Sequence, residues 1–508
     1  MRNPRFGNLA HLPSFIFQAR DYVSRMPLPV ITVAQMRAWE QATWASGQTE
    51  REVIRRVGKV LGRRALALTE PGDSVLILAG KGHNGDDARC ACEHLEQRTV
   101  ELIEVSDPAA DLAKLESALS RRPSLVIDGL FGIGISRPLS EAWCRFIERL
   151  NARNLPVLAV DLPSGLNADT GENHGAAVKA AVTLTVGAPK RGLLLPSAWE
   201  SVGRLEVADD VGLVPCPYES SLKWTMPKDF AEFPPCRPVA SHKGTYGHLA
   251  IIAGSVGFHG AAVLAARGAQ RAQPGLITLH TMPDAHQPVA AQLQAVMVAP
   301  WRPPEDFAER YTALVAGPGL AAADVPQSLK SFVVRAWSEF SIPVIVDASA
   351  LAWLPPGNVP SSAIRLITPH PGEAARLLQI ESRAVQANRV EMLRRLSGKF
   401  GNTWVVLKGH ETLVGRSTGD VFVNSSGNPF LAQGGSGDTL SGYVGGLLAQ
   451  PVLQSNALVT ICYAVWQHGA TADWLQKTRS AWVVEDLVAA LGSGGLDSLR
   501  TAPIQRRA

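Results

Sequence analysis

The sequence predicts an α/β protein of two tandem doubly wound three-layer domains, on three observations. The chain has 508 residues, too many for one ordinary core. Short continuous apolar runs alternate with helical patterns along most of it, as expected for strands buried on both faces of a parallel sheet. A proline-rich stretch from about Pro215 to Pro238 interrupts the alternation, with Pro217, Pro227, Pro234 and Pro235 inside it. Prolines at that density read as a linker without regular elements.

Taken in order, residues 1–28 form an N-terminal extension. Arg20, Asp21 and Arg25 break its apolar character, so it does not read as a signal peptide. The first domain, 29–214, has strand-like runs at 75–78, 125–127, 157–160 and 182–186. A linker covers 215–239. The second domain, 240–495, has runs at 249–252, 314–316, 344–346, 366–367 and 404–407, and 496–508 is a tail. The formal net charge of +4 is dispersed, so nucleic acid is not an expected partner. Six scattered cysteines give no disulfide framework and suggest a cytoplasmic protein with reduced thiols. Cys90 and Cys92 lack a second pair nearby, which disfavours zinc. No apolar run approaches the roughly 20 residues that span a bilayer, so no membrane is expected.

In the first domain every predicted strand ends in a polar or glycine-rich turn. The turns are Gly80-Lys81-Gly82-His83-Asn84-Gly85-Asp86-Asp87, the run from Asp128 to Pro138, Asp161-Leu162-Pro163-Ser164-Gly165, and Gly187-Ala188-Pro189-Lys190-Arg191-Gly192. In an open parallel sheet the carboxyl strand ends share one edge, where ligands bind. Asn84, Asp87, Asp128, Asp161 and Ser164 should therefore converge. So much oxygen suits a hard cation, and the glycines let backbone approach a phosphate. Each Asp alone is more often a strand-end cap or loop residue; the four turns together favour a site. No Gly-Lys-Ser/Thr follows, so this is not a P-loop.

In the second domain, Asn428-Pro429-Phe430-Leu431-Ala432-Gln433-Gly434-Gly435-Ser436-Gly437-Asp438 opens a helix-like run. A small-residue loop leading into a helix points N–H groups at a phosphate. Asp438 in that turn suits proton or metal handling, with a capping Asp as the plain alternative. Ser241–Gly247, Gly257–Ala262, Thr368-Pro369-His370-Pro371-Gly372-Glu373 and Val406-Leu407-Lys408-Gly409-His410-Glu411-Thr412 also stand out. Lys408 at a strand end suits nucleotide phosphate, or is simply a solvated lysine. His370, aimed by two prolines, is a site residue or a turn histidine.

These motifs carry a family resemblance. Thr32-Val33-Ala34-Gln35-Met36, Asn84 to Asp87, Asp128-Gly129-Leu130-Phe131-Gly132, Val160 to Gly165 and Gly187 to Lys190 resemble the NAD(P)H-hydrate epimerase domain over about residues 30–212. That resemblance implies a Rossmann-like fold and K+ held by Asn84, Asp128 and Ser164. It makes Asp161 catalytic and substrate-facing. It assigns substrate contacts to His83, Asn84, Gly85, Asp86 and Asp87, and to Gly132, Ile133, Gly134, Ile135, Ser136, Arg137 and Pro138. Asp86 stands where the family has glycine, and Ala88 also departs from its pattern. A carboxylate there would repel phosphate and weaken the site.

From about 240 to 495, Gly317-Pro318-Gly319-Leu320, Thr368 to Glu373, Leu407-Lys408-Gly409 and Gly434 to Asp438 are similar to the NAD(P)H-hydrate dehydratase domain, a ribokinase-like fold. By that resemblance Lys408, Gly409, His410, Glu411, Thr412 and Gly437 contact nucleotide. Ala262, Gly319, His370 and Asp438 contact the hydrate, with Asp438 catalytic and Mg2+ and ADP as cofactors. Ser349, Ala321 and Ser436 are modest departures. The implied function is repair of hydrated NADH or NADPH: epimerisation of the R and S hydrates in the first domain, then ADP-dependent dehydration of the S-hydrate in the second, releasing AMP and phosphate. ADP over ATP rests on the resemblance alone. A homo-oligomer acting on small molecules is expected. The alternative is a ribokinase-like small-molecule kinase with a non-catalytic N-terminal binding domain.

Overall fold

The computed structural model describes residues 27–135, 137–302, 306–360 and 363–493. Two sheets organise the chain. The first has six parallel strands in the spatial order β3 (Thr99–Glu104), β2 (Ser74–Ala79), β4 (Leu125–Gly129), β5 (Val157–Val160), β6 (Val182–Val186) and β7 (Arg204–Ala208). Apolar side chains from both of its faces are buried in separate clusters, one under the helix Glu50–Ala67 and one under Pro108–Ser120 and Glu141–Asn151. This is the doubly wound arrangement that the apolar runs predict. The strand order reverses between β2 and β4, so the turns after these two strands flank a crevice.

The second sheet has eleven strands. From one edge they run β1 (Leu28–Pro29), β8 (Leu222–Trp224), β17 (Val421–Val423), β16 (Leu413–Gly415), β15 (Trp404–Leu407), β14 (Arg365–Ile367), β13 (Val344–Val346), β12 (Ala313–Ala316), β9 (His248–Ile252), β10 (Leu276–Thr281) and β11 (Met297–Pro300). The run from β15 to β11 is parallel, and β15, β16 and β17 form an antiparallel meander.

The proline-rich stretch is not free of regular structure. β8 lies inside it, pairing parallel to β17 and antiparallel to β1. The three residues fit between Pro217 and Pro227, and Trp224 is fully buried. The sheet of the second domain is therefore completed by residues on either side of the first domain, all of them ahead of residue 240. One apolar core joins the two halves, with Leu166, Leu193 and Val202 of the first in the same cluster as Leu413 and Val423 of the second.

Two helices set the position of the Asp438 turn. His259–Arg271 and Ser436–Leu448 lie back to back, the first rich in alanine and the second in glycine. A Cβ at Gly268 would overlap the carbonyl oxygen of Thr439, and one at Gly442 would overlap that of Ala265. The backbones touch, so there is no room for adjustment. Gly442→Val should cost about 1–3 kcal/mol by overpacking. Thermal unfolding of the full chain checks this: a clear fall in Tm is expected, and no fall would refute the close approach.

Two candidate active sites

The first site is a cavity of about 1060 Å³ at the β2/β4 crevice. His83, Asn84, Asp87, Gly132, Ile133, Gly134, Ile135, Arg137, Pro138 and Asp161 all line it, as the sequence places them. Ser136 lies outside the described residues. Gly85 and Asp86 are not among the lining residues. His83 to Asp87 is not a loop but the first turn of the helix His83–Ala91. Gly85 is required there because a Cβ would collide with the carbonyl of Gly80. Asp86 is paired with Arg89 at 2.8 Å, and Arg89 also donates to the Gly80 carbonyl at 2.7 Å. The helix thus partly neutralises the unexpected carboxylate, which reduces the expected repulsion.

Beneath the cavity the oxygens gather. The Asn84 amide donates to the carbonyls of Val160 and Phe131 at 2.6 and 3.0 Å. Asp128 is fully buried and accepts from Ser164 Oγ at 2.6 Å, Ser164 N at 2.8 Å and Leu130 N at 3.2 Å. Burial still pushes its carboxyl above the usual range. Asp161 adopts φ +64°, an uncommon conformation for a non-glycine residue that marks a constrained site. Lys190 Nζ, Thr185 Oγ1 and Val186 N donate to its Oδ1 at 2.5, 3.1 and 3.0 Å. Oδ2 takes none of these bonds. Lys190 is completely buried.

Two residues near Asp161 escaped the sequence reading. Lys190 stands in the Gly187–Lys190 motif, where its charge beside a strand-end Asp was an available signal. Glu40 lies mid-helix in Val33–Ala45 and lines the cavity. Burial, then Asp161, raises its carboxyl. Nothing local in the sequence distinguishes Glu40 from any helical glutamate.

The second site lies at the carboxyl ends of β9, β12, β14 and β15. Gly254-Ser255 after β9 and Gly317-Pro318-Gly319 after β12 are tied together: Gly254 N donates to the Pro318 carbonyl at 2.9 Å and Ser255 Oγ to that of Gly319 at 2.7 Å. Ala262 has no exposed surface and sits under Gly254. His370 is exposed and caps the helix Pro371–Leu378, its Nδ1 accepting from Gly372 N at 3.0 Å. The turn role is the one these bonds show.

Lys408 pairs with Asp347 at 3.0 Å and comes close under Gly437. It is mostly buried, not a solvated lysine. Asp347, at the end of β13, therefore joins the candidate site through Lys408. Asp438 occupies the first turn of the helix Ser436–Leu448, behind Gly435 at φ +94°. Burial first, then the charge of Asp347, raises its carboxyl to about 6, against the pull of Lys408. The loop His410–Thr412 is fixed by Arg389, whose guanidinium donates to the carbonyls of His410 and Leu407. Burial raises Glu411 to about 8, with Arg389 opposing.

The fold and these sites define a two-site α/β enzyme, one site at a dinucleotide-type crevice and the other at a glycine-rich helix entry. Residues 249–491 match the NAD(P)H-hydrate dehydratase family, and 100–192 match the YjeF-related protein N-terminus. A bifunctional NAD(P)H-hydrate repair enzyme of Gloeobacter violaceus is 34% identical, covering 91% of this chain and 96% of its own. Those of Coxiella burnetii (34%; 86% and 93%) and Escherichia coli (30%; 86% and 88%) are similar. An ADP/ATP-dependent NAD(P)H-hydrate dehydratase of Bacillus subtilis, co-crystallised with ATP/Mg2+, is 30% identical, covers 53% of this chain and 95% of its own, and has a TM-score of 0.46. The chain belongs to the bifunctional NAD(P)H-hydrate repair enzyme family.

Asp87 is buried in the first site, and desolvation, then Asp161, holds its carboxyl well above the usual range. A raised native pKa means the folded state binds more protons, so stability falls as pH rises above about 4 towards that pKa. Asp87→Asn should remove this slope, at most about 1.4 kcal/mol per pH unit for one proton. Urea unfolding at pH 5 and pH 8 measures it. Equal pH dependence in wild type and variant would contradict the assignment.

Proposed function

We propose that this chain restores hydrated NADH and NADPH, interconverting the two hydrate epimers at the first site and dehydrating one of them at the second with a nucleotide. The carrying observation is Asp438, with its raised carboxyl, in the first turn of a helix whose entry amides adjoin Lys408. A phosphoryl group over those amides is stabilised by the helix N-terminus and the lysine. The hydrate carries a hydroxyl on the ring carbon next to nitrogen. Asp438 accepts the hydroxyl proton as its oxygen attacks the terminal phosphorus of ADP, and AMP leaves. The C–O bond to phosphate then breaks with help from the ring nitrogen's lone pair. Loss of a proton from the neighbouring ring carbon completes the reduced nicotinamide. A carboxyl at about 6 is ionised at neutral pH yet basic enough to take a proton.

Among the described residues no group of three His, Cys, Asp or Glu is gathered for a metal. Mg2+ commonly binds through one or two carboxylates and substrate phosphates, so this donor set fits an ion arriving with the nucleotide. Asp347 and Glu373, the carboxylates whose charges act on Asp438, would hold it. At the first site Asn84, Asp128 and Ser164, with the carbonyls of Val160 and Phe131, supply the oxygens that K+ prefers. Such an ion would supply a fixed positive charge under the substrate. Asp161, with Oδ1 held by Lys190 and Oδ2 outside that network, handles the proton in epimerisation.

Asp438→Asn should lower dehydration by about 100-fold or more while nucleotide still binds. Wild-type dehydration should fall about tenfold per pH unit below about 6, as Asp438 becomes protonated. Recovery of reduced-nicotinamide absorbance on adding ADP to hydrated NADH reads both; unaltered turnover in the variant would rule out the base role. Asp161→Asn should abolish epimer interconversion, followed by chromatography of the two hydrates, and leave dehydration intact. Full epimerase activity in that variant would contradict the assignment.

A further inference from the structure

The first domain reaches into the second site through two residues, Arg204 and Trp199, and neither belongs to the chemistry described above; Arg204 Nη1 also donates directly to the Gly427 carbonyl at 3.4 Å. Arg204 opens β7 of the first sheet. Its guanidinium forks onto Asp473 of the helix Ala457–Thr478, with Nη1–Oδ1 and Nη2–Oδ2 both at 3.0 Å. Asp473 is 2% exposed at its side chain. The same carboxylate accepts Gly427 N at 3.0 Å and Asn428 Nδ2 at 3.2 Å. Those two residues begin the loop that ends in Asp438. Five residues earlier on the same helix, His468 Nε2 meets the carbonyl of Ser436 at 3.0 Å. Burial lowers His468 to about 4, so it is neutral and donates one ring N–H. One helix therefore holds both ends of the phosphate-side loop, and its Asp473 is fixed from the other domain. The second contact is Trp199, whose ring meets His410 of the nucleotide-side loop edge-on at 5.1 Å.

We infer that the segment Trp199–Glu206 of the first domain positions both loops of the second site, with Arg204 acting through Asp473 as a positioning residue for dehydration. The inference rests on the dehydration reading above. A bidentate pair to a buried carboxylate fixes direction as well as distance. Without Arg204, Asp473 loses its bidentate partner and keeps, among the described residues, the two loop donors and the nearby charge of Lys477. Glu206, a further partner of Arg204, stays held by Arg64 at 2.6 and 2.7 Å, so β7 itself keeps its anchor. The charged groups gathered at this junction are Arg64, Glu206, Arg204, Asp473 and Lys477. Dehydration is thereby made conditional on the first domain being folded and docked, although that domain contributes no atom to the reaction.

The test uses the full chain with Arg204→Met and Arg204→Lys. Hydrogen exchange of the amides in 427–434 should speed up at least about tenfold in R204M, with exchange in β2, β4 and β9 unchanged. The kcat for dehydration should fall about tenfold, while KM for ADP and the rate of epimer interconversion stay within about twofold. R204K, which keeps the charge but not the fork, should fall between. Unchanged loop exchange in R204M overturns the inference, and so does faster exchange spread evenly over both sheets, which would mark plain loss of stability. A wild-type enzyme that fails to dehydrate with any nucleotide would defeat the functional reading instead, and the exchange data would still decide the positioning role.

Discussion

The second site depends on one contact, the backbone-to-backbone approach of the helices His259–Arg271 and Ser436–Leu448. Helices come this close only where side chains are absent from the seam, and Gly268, Gly442 and Gly446 clear it. Each helix begins at one wall of the site. The first starts beside the Gly254-Ser255 turn, the second at the Asp438 turn. Locking the helices therefore locks two walls of a cleft whose other walls are the ends of β12, β14 and β15. The cost of such packing is intolerance to any added methyl group. The gain is a loop of N–H groups that needs no rearrangement when charge develops in front of it.

The two sites use one electrostatic device for different ends. Each places a largely buried lysine against a strand-end aspartate, Lys190 on Asp161 and Lys408 on Asp347. In the first, the paired aspartate is itself the candidate proton carrier, and the lysine fixes one of its oxygens. In the second, the paired aspartate holds the lysine, and a neighbouring carboxyl, Asp438, is left with a raised pKa. At Asp438 burial and the charge of Asp347 outweigh the pull of Lys408. The two domains also share a core and a sheet, so the fusion is more than tethering: β1 and β8 come from either side of the first domain to complete the sheet of the second.

Much of this was legible in the sequence because buried parallel strands have continuous apolar runs and their carboxyl ends carry glycine and acid. β2, β4, β5 and β6 were all marked that way. What was missed has a physical reason. β3 and β7 are edge strands whose acids break the apolar run, Glu101 and Glu104 facing water and Glu206 paired with Arg64 and Arg204. β8 is three residues long and flanked by prolines, which hide a strand that needs only its partners β1 and β17. Most of the motif residues read for the first site line its cavity. Glu40 was not read from the sequence, because it reaches the cavity only by packing across 121 positions towards Asp161. The charge of Asp86 was read as repulsive because its neutralising partner, Arg89, becomes a neighbour only once the segment is helical.

The central claim is that a phosphoryl group passes from nucleotide to the hydrate's own oxygen over the amides ahead of Asp438. Isotope tracing tests it directly. Hydrated NADH labelled with oxygen-18 in its ring hydroxyl is turned over with ADP in ordinary water, and the products are weighed by mass spectrometry. The account predicts that the label leaves in inorganic phosphate. Label recovered in water, with unlabelled phosphate, would show that the hydroxyl departs without being phosphorylated and would contradict it.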